Sequence, residues 1–225
     1  MKSKKTYPRL SVFETFKTKR EELTGEAMRQ RGIIVHLVTE SSPAMRTRTS
    51  IAHKLADKSG TVWQNIYSGI FRDLDEILLP LGIVEEEGRL PLKRGPKALQ
   101  ESGIPYYQLT EAGMLVAASL DEIEKDRVKI MTEFFEKNSN SKDKEFKKAI
   151  LTLLNIAPNF IFSLLKKYIE AYGNGKMDKL IPFDADNMKN VLDETIEIQR
   201  EFLEGFSTLA NSDKEIVINF LKRIG

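Results

Sequence analysis

Cysteine is absent from the 225 residues. That removes disulfides, thiolate nucleophiles, Cys-based zinc sites and iron–sulfur clusters, and it fits a reducing, cytoplasmic location. Histidine is nearly absent: His36 and His53 are the two imidazoles, and they do not stand in a His-x-x-x-His ligand spacing. Net charge is scarce as well. The chain carries 35 Lys and Arg against 33 Asp and Glu, a balance of +2, too even to announce nucleic-acid binding by itself. Long apolar runs are missing. The most apolar stretch, 150–165, contains Thr152, Asn155, Pro158, Asn159 and Ser163 and falls short of the ~20 residues of a spanning helix. It predicts a buried helix pair broken at Pro158. Lys147-Lys148 and Lys166-Lys167 flank it, which leaves a membrane-surface helix as the minor reading. The basic start, residues 1–5, is not followed by the apolar segment of a secretory signal, so no membrane partner is expected. Gly-rich phosphate loops and Gly-x-Ser-x-Gly are missing too. Acidic pairs such as Asp184/Asp186 and Asp193/Glu194 read as a helix cap and a solvated face. No enzyme activity, cofactor or metal is therefore expected.

What charge there is lies at the front. Residues 1–60 hold 13 Lys and Arg against 6 Asp and Glu; residues 61–120 hold 5 against 8; the remainder holds 17 against 19. Residues 1–20 read as a basic arm, with Lys2, Lys4, Lys5 and Arg9 as phosphate candidates and a start of helix at Phe13 and Phe16. Apolar spacing predicts a helix over 26–40. Ser42 before Pro43, or else Thr49, caps the next helix, which ends at Ser59-Gly60. Thr61 and Gln64 form a capping box for a third helix striped by Val62, Ile66, Ile70 and Leu74 and ending near Pro80–Gly82. An extended, charged hairpin follows from Ile83, returning through Tyr106–Leu109. Thr110 caps a helix running to about Lys137. Helices over 146–157, 160–172, 186–209 and 213–224 complete the chain.

That order matters. The run Ser50-Ile51-Ala52-His53-Lys54-Leu55-Ala56 is followed by Ser59-Gly60-Thr61-Val62 at a tight turn. Leu81-Gly82-Ile83-Val84 then closes the third helix, and Tyr107-Gln108-Leu109-Thr110-Glu111-Ala112-Gly113 follows the hairpin. From Gly25 to Leu120 this resembles a winged helix-turn-helix domain, by architecture that of the PadR and MarR regulator types. The resemblance implies binding of double-stranded DNA, as in a transcription regulator. It also implies a homodimer built by the long helix after the wing, here through Leu120, Ile123, Ile130 and Phe134. The alternative for that helix is packing within its own chain.

The residues themselves suit the same chemistry. A recognition helix offers one apolar face to its core and one polar face to the major groove. Thr61, Gln64, Asn65, Ser68 and Arg72 lie mostly opposite the apolar stripe. Gln and Asn can pair bidentately with adenine, and Arg with guanine. Arg46, Arg48, Lys54 and Lys58 surround the second helix as phosphate candidates. Arg89, Lys93, Arg94 and Lys97 lie in the hairpin, where an Arg on a thin loop can enter a minor groove. The bland counterparts are a solvated helix face and a charged loop that protects an edge strand. One departure stands out: 20 residues separate Val62 from Gly82, about two turns more than in a typical family member. The extra length carries Asp73, Asp75 and Glu76, which must point away from phosphate. Otherwise the helix bends near Gly69 or serves a partner protein. Trp63, Tyr67 and Phe71 recur every four residues and read as core packing; stacking on single-stranded nucleic acid would need them exposed.

The expectation is a mostly α protein in three parts. A basic arm (1–20) precedes a winged helix-turn-helix domain with a small β-wing (21–120), and an all-α helical domain (121–225) follows. A protein–protein interaction module or an RNA-binding factor is the alternative function.

Overall fold

The computed structural model describes residues 8–19, 21–59, 63–91, 103–123, 125–137, 144–191 and 194–224, with the side chains of 58, 59, 63–66, 137, 194, 195 and 224 left undescribed. The chain is mostly α-helical with one small antiparallel sheet. Helix α1 spans Gly25–Thr39; Thr24 caps it by accepting the Ala27 N–H at 3.1 Å, and its Ile33, Ile34 and Leu37 are buried. Helix α2 (Arg48–Ser59) is capped by neither Ser42 nor Thr49. Pro43 starts only a 3-10 turn, Pro43–Arg46, and Ser42 makes no side-chain cap bond. Thr47 takes the role: its backbone is extended and bridged to Tyr106, and its Oγ1 accepts the Ser50 N–H at 3.3 Å. An extended residue with a free side-chain oxygen is what an N-cap requires. The bridge to a distant strand, invisible locally, makes Thr47 that residue.

Helix α3 (Trp63–Arg72) runs through Gly69 without a break. It widens into a π-helical stretch, Asp73–Leu78, whose Leu79 N–H reaches back five residues to the Leu74 carbonyl. The extra residue in that turn brings Asp73, Leu74, Ile77 and Leu78 inward together. Gly82, with φ +65°, then reverses the chain into the sheet. Strand β1 (Val84–Leu90) pairs with β2 (Ile104–Leu109) in register Val84↔Leu109 to Leu90↔Ile104, irregular between Glu86 and Gly88. This is the expected hairpin; its tip, 92–102, lies outside the described residues.

Thr110 caps helix α4 (Glu111–Ser119), accepting the Gly113 N–H at 3.1 Å while its hydroxyl donates to the Gly82 carbonyl. Thr110→Ala should cost about 1 kcal/mol; urea denaturation checks this, and an unchanged midpoint would dismiss the cap. The single helix expected over 110–137 is in fact two. Leu120 is extended, a 3-10 turn covers Asp121–Ile123, and helix α5 (Arg127–Lys137) starts afresh. The Arg127 guanidinium donates to the Ala118 carbonyl at 2.8 Å, capping α4 from outside, and lies 4.0 Å over the Phe162 ring. The break lets α5 fold back. Leu120, Ile123, Ile130 and Phe134, named above as dimer candidates, are each at most 5% exposed inside their own chain. They are core residues, and a second copy cannot reach them.

Helices α6 (Lys144–Ile156) and α7 (Pro158–Gly173) separate at Pro158 as predicted, with Pro at the first helical position. Among the described residues, no helix is long and apolar enough to cross a membrane. The helix expected over 186–209 is interrupted. Asp184 caps a short α8 (Ala185–Lys189) whose Met188 is buried, and α9 (Glu194–Thr208) and α10 (Asn211–Ile224) follow.

One hydrophobic cluster runs from Leu10 and Val12 through α1–α5 to α7 and Met188. It crosses the expected boundary at 120. Phe134, Phe135, Phe146, Tyr168 and Phe183 form its aromatic end, with edge-on ring pairs 5.1–6.5 Å apart. The second half of the expected arm belongs to this core. Leu10 and Val12 are buried, the Ser11 N–H donates to Gln30 Oε1 at 2.8 Å, and the Thr15–Leu23 bridge replaces the helix expected at Phe13–Phe16.

Candidate nucleic-acid interface

The expected cations surround the meeting point of α2, α3 and the hairpin, and the described arginines among them are paired within the chain. Arg46, at the end of the 3-10 turn, pairs with Glu87 of β1 and donates to the Tyr107 carbonyl at 3.3 Å. Its guanidinium lies 5.4 Å over the Tyr106 ring and its side chain is only 11% exposed. That geometry binds the turn to both strands. Arg48 opens α2 and donates to Asp75 at 2.6 Å, with Phe71 and Tyr107 each 5.4 Å from its guanidinium. It pins α2 to the π-helical stretch. Tyr107 is buried with an unpaired hydroxyl. Burial pushes its phenol above the ordinary tyrosine range, against the opposite pull of Arg48.

Arg72 is half-exposed and bonds Glu26 at 3.4 Å and Asp73 at 3.2 Å. Arg89 pairs with Glu86 at 2.5 Å on its own strand. Lys54 on α2 and Ser68 on α3 are exposed to solvent. Lys58 lies on α2, and Gln64 and Asn65 on α3, with their side chains outside the description. Thr61, Lys93, Arg94 and Lys97, like Lys2, Lys4 and Lys5 of the arm, fall outside the described residues altogether. Arg9 is occupied: it donates to the Gly173 carbonyl at 2.7 Å and to Asn174 Oδ1 at 3.3 Å.

The acidic residues of the third helix find places that spare a phosphate. Asp73 is wholly buried and takes Arg29 of α1 at 2.6 Å, Asp75 takes Arg48, and only Glu76 is left on the outer side. Gly69 makes the first of these contacts possible. A Cβ there would lie 2.8 Å from Arg29 Nε, so glycine leaves the arginine room to cross α3 in this position. Tyr67 and Phe71, centroids 4.2 Å apart, are half-buried, Tyr67 against the core. His36 is packed, its Nε2 donating to the Met45 carbonyl at 2.8 Å.

Sequence reasoning missed Arg29, Arg31 and Arg127, which hold this frame together. Arg31 pairs with Glu122 at 2.5 Å and donates to the Val12 carbonyl at 3.3 Å. The available signal was two arginines, 29 and 31, in a helix otherwise rich in apolar residues, where a charge persists only with a partner. Physically, the described surface is near neutral around the arginines. A guanidinium holding one carboxylate keeps further N–H donors, and the side chains of Arg48 and Arg72 stay open to solvent in part. Compared with protein-family models, curated proteins and solved structures, the chain matches none of them.

Proposed function

We propose that residues 25–119 are a winged helix-turn-helix unit that binds double-stranded DNA, as in a transcription regulator. The observation that carries this reading is the packing order. Helices α2 and α3 lie against each other and on α1, and α3 leads directly into an antiparallel hairpin that returns to α4. In a winged helix this arrangement offers α3 to the major groove and the hairpin tip to the flanking backbone. The tip holds Lys93, Arg94 and Lys97 by sequence. Lys54 and Lys58 follow on α2, and Gln64, Asn65, Ser68 and Arg72 on α3 supply the base-reading chemistry. A cytoplasmic location goes with this reading.

Duplex binding should weaken steeply with salt. Neutralising about 5 phosphates gives a log–log slope near −4.5. Replacing Lys93, Arg94 and Lys97 together with alanine should make the slope shallower by about 2–3 and leave the thermal midpoint in place, since exposed charges contribute little to stability. Fluorescence anisotropy on a mixed-sequence duplex, from low to physiological salt, reads both. A folded sample that binds no duplex even at low salt would sink the proposal.

A second reading, a protein-interaction module, is favoured by the internal pairing of Arg46, Arg48, Arg72 and Arg89 with carboxylates. A surface so neutralised suits a protein partner better than a polyanion. Weak duplex binding with no salt slope would promote it.

A further inference from the structure

We infer that α9 and α10, consecutive helices joined by a short turn, pair with the same two helices of a second copy of this chain. Thirteen large apolar side chains are exposed among the described residues, and seven of them lie on these two helices. On α9, Ile198, Phe202 and Leu203 are 61%, 48% and 61% exposed; on α10, Ile216 and Phe220 are 67% and 57%. At 100° per residue, the apolar positions 216 to 221 of α10 spread over about 200° of its circumference, whereas a helix facing a single neighbour needs little more than 100°. One neighbouring helix cannot cover that arc. An open groove of about 450 Å³ runs along α9 past Phe202 and Phe206 to Val217 of α10. Gly205 lines it with nothing within 4 Å of where a Cβ would stand.

Size and charge select the occupant. At roughly 200 Å² per large apolar residue, the seven expose on the order of 700 Å². Summed over both helices, that approaches the ~800 Å² that each partner contributes to a standard interface. Helix α9 carries Glu194, Glu197, Glu201 and Glu204 against one Arg200, a net of −3; α10 carries three basic and two acidic residues, a net of +1. Two α9 helices repel each other, while α9 of one copy suits α10 of the other. A surface complementary to itself in this way closes by a two-fold axis and yields a four-helix bundle. An anionic membrane is a poor match, because an interfacial helix presents a Lys- and Arg-rich polar face and α9 presents glutamates. This inference is independent of DNA binding.

Sedimentation of the full chain tests it without nucleic acid. The expected species at about 10 μM has twice the 25.7 kDa chain mass. Phe202→Glu with Phe220→Glu should weaken association at least 100-fold while leaving the helical circular dichroism of the chain unchanged, since both side chains are exposed within a single copy. The cysteine-free background supplies a milder variant. Leu203→Cys mixed with Ile216→Cys should form a disulfide-linked heterodimer under oxidation. A monomer at about 100 μM, a dimer untouched by the paired glutamates, a dimer without the α9–α10 cross-link, or a monomer that instead co-floats with lipid vesicles overturns the inference.

Discussion

Arg29→Ala is expected to destabilise the protein by about 3–5 kcal/mol, the cost of leaving a buried charge without its partner. The Asp73 carboxylate has no exposed surface, and Arg29 meets it with two N–H groups, at 2.6 and 3.4 Å. Without Arg29, the half-exposed Arg72, at 3.2 Å, is the one cation among the described residues that still holds the carboxylate. Asp73→Ala should cost less. The cations it releases, Arg29 and Arg72, are 21% and 49% exposed and can turn to water. Arg29→Met combined with Asp73→Leu should recover most of the loss, because the pair contributes less to net stability than its breakage removes. Urea denaturation of the four proteins reads the asymmetry. Equal losses of under about 1 kcal/mol from both single alanines would mean that water already screens the pair. Because Arg29 and Asp73 join α1 to the π-helical stretch, the same variants should also weaken any function that depends on the placement of α3.

Gly113→Ala should cost at least about 3 kcal/mol, near 6–12 °C in melting temperature for a chain of this size. A Cβ at Gly113 would stand 2.1 Å from the Ile83 carbonyl oxygen and 3.0 Å from Leu109 Cβ. Neither neighbour is the free tip of a side chain. The Ile83 carbonyl accepts the Thr110 N–H at 3.1 Å and is held at the root of the sheet. Helix propensity alone runs the other way, favouring alanine by about 1 kcal/mol. The sign of the measured change therefore separates close packing from propensity. A neutral or stabilised variant in a thermal melt would show that α4 slides away from β1 freely. The predicted loss means that glycine sets how near α4 comes to the hairpin, and so where the hairpin projects.

Features set by neighbouring residues were legible in the sequence. The apolar spacing of α1 located Gly25–Thr39 to within a residue or so. Pro158 announced the break between α6 and α7, because a helix interior cannot supply the bond its missing N–H leaves open. Thr110 announced α4 because its side chain needs only the N–H three residues on. The breaks at Leu120 and after α8 carry no such mark. Residues 110–137 keep a helical period throughout, and the chain leaves the helix at Leu120 because α5 must fold back over the core. Arg127, seven residues further on, stabilises the turn through a carbonyl and an aromatic ring that no local pattern connects to it.

The candidate site divides along the same line. From sequence alone came the residue types: cations around the second helix and the hairpin, polar groups on the third helix, acids in its extension. Only the tertiary structure decided which cations are occupied. Arg48 finds Asp75 27 positions away, Arg46 finds Glu87 at 41, Arg29 finds Asp73 at 44 and Arg31 finds Glu122 at 91. Short-range periodicity records which face of a helix is apolar, because backbone geometry repeats every few residues. It does not record which charge meets which, because an ion pair forms wherever packing brings two side chains within a few ångströms, at any separation along the chain. The sequence therefore determined a mostly helical chain with one charged hairpin. The fold decided that its arginines first hold that hairpin and the third helix in place.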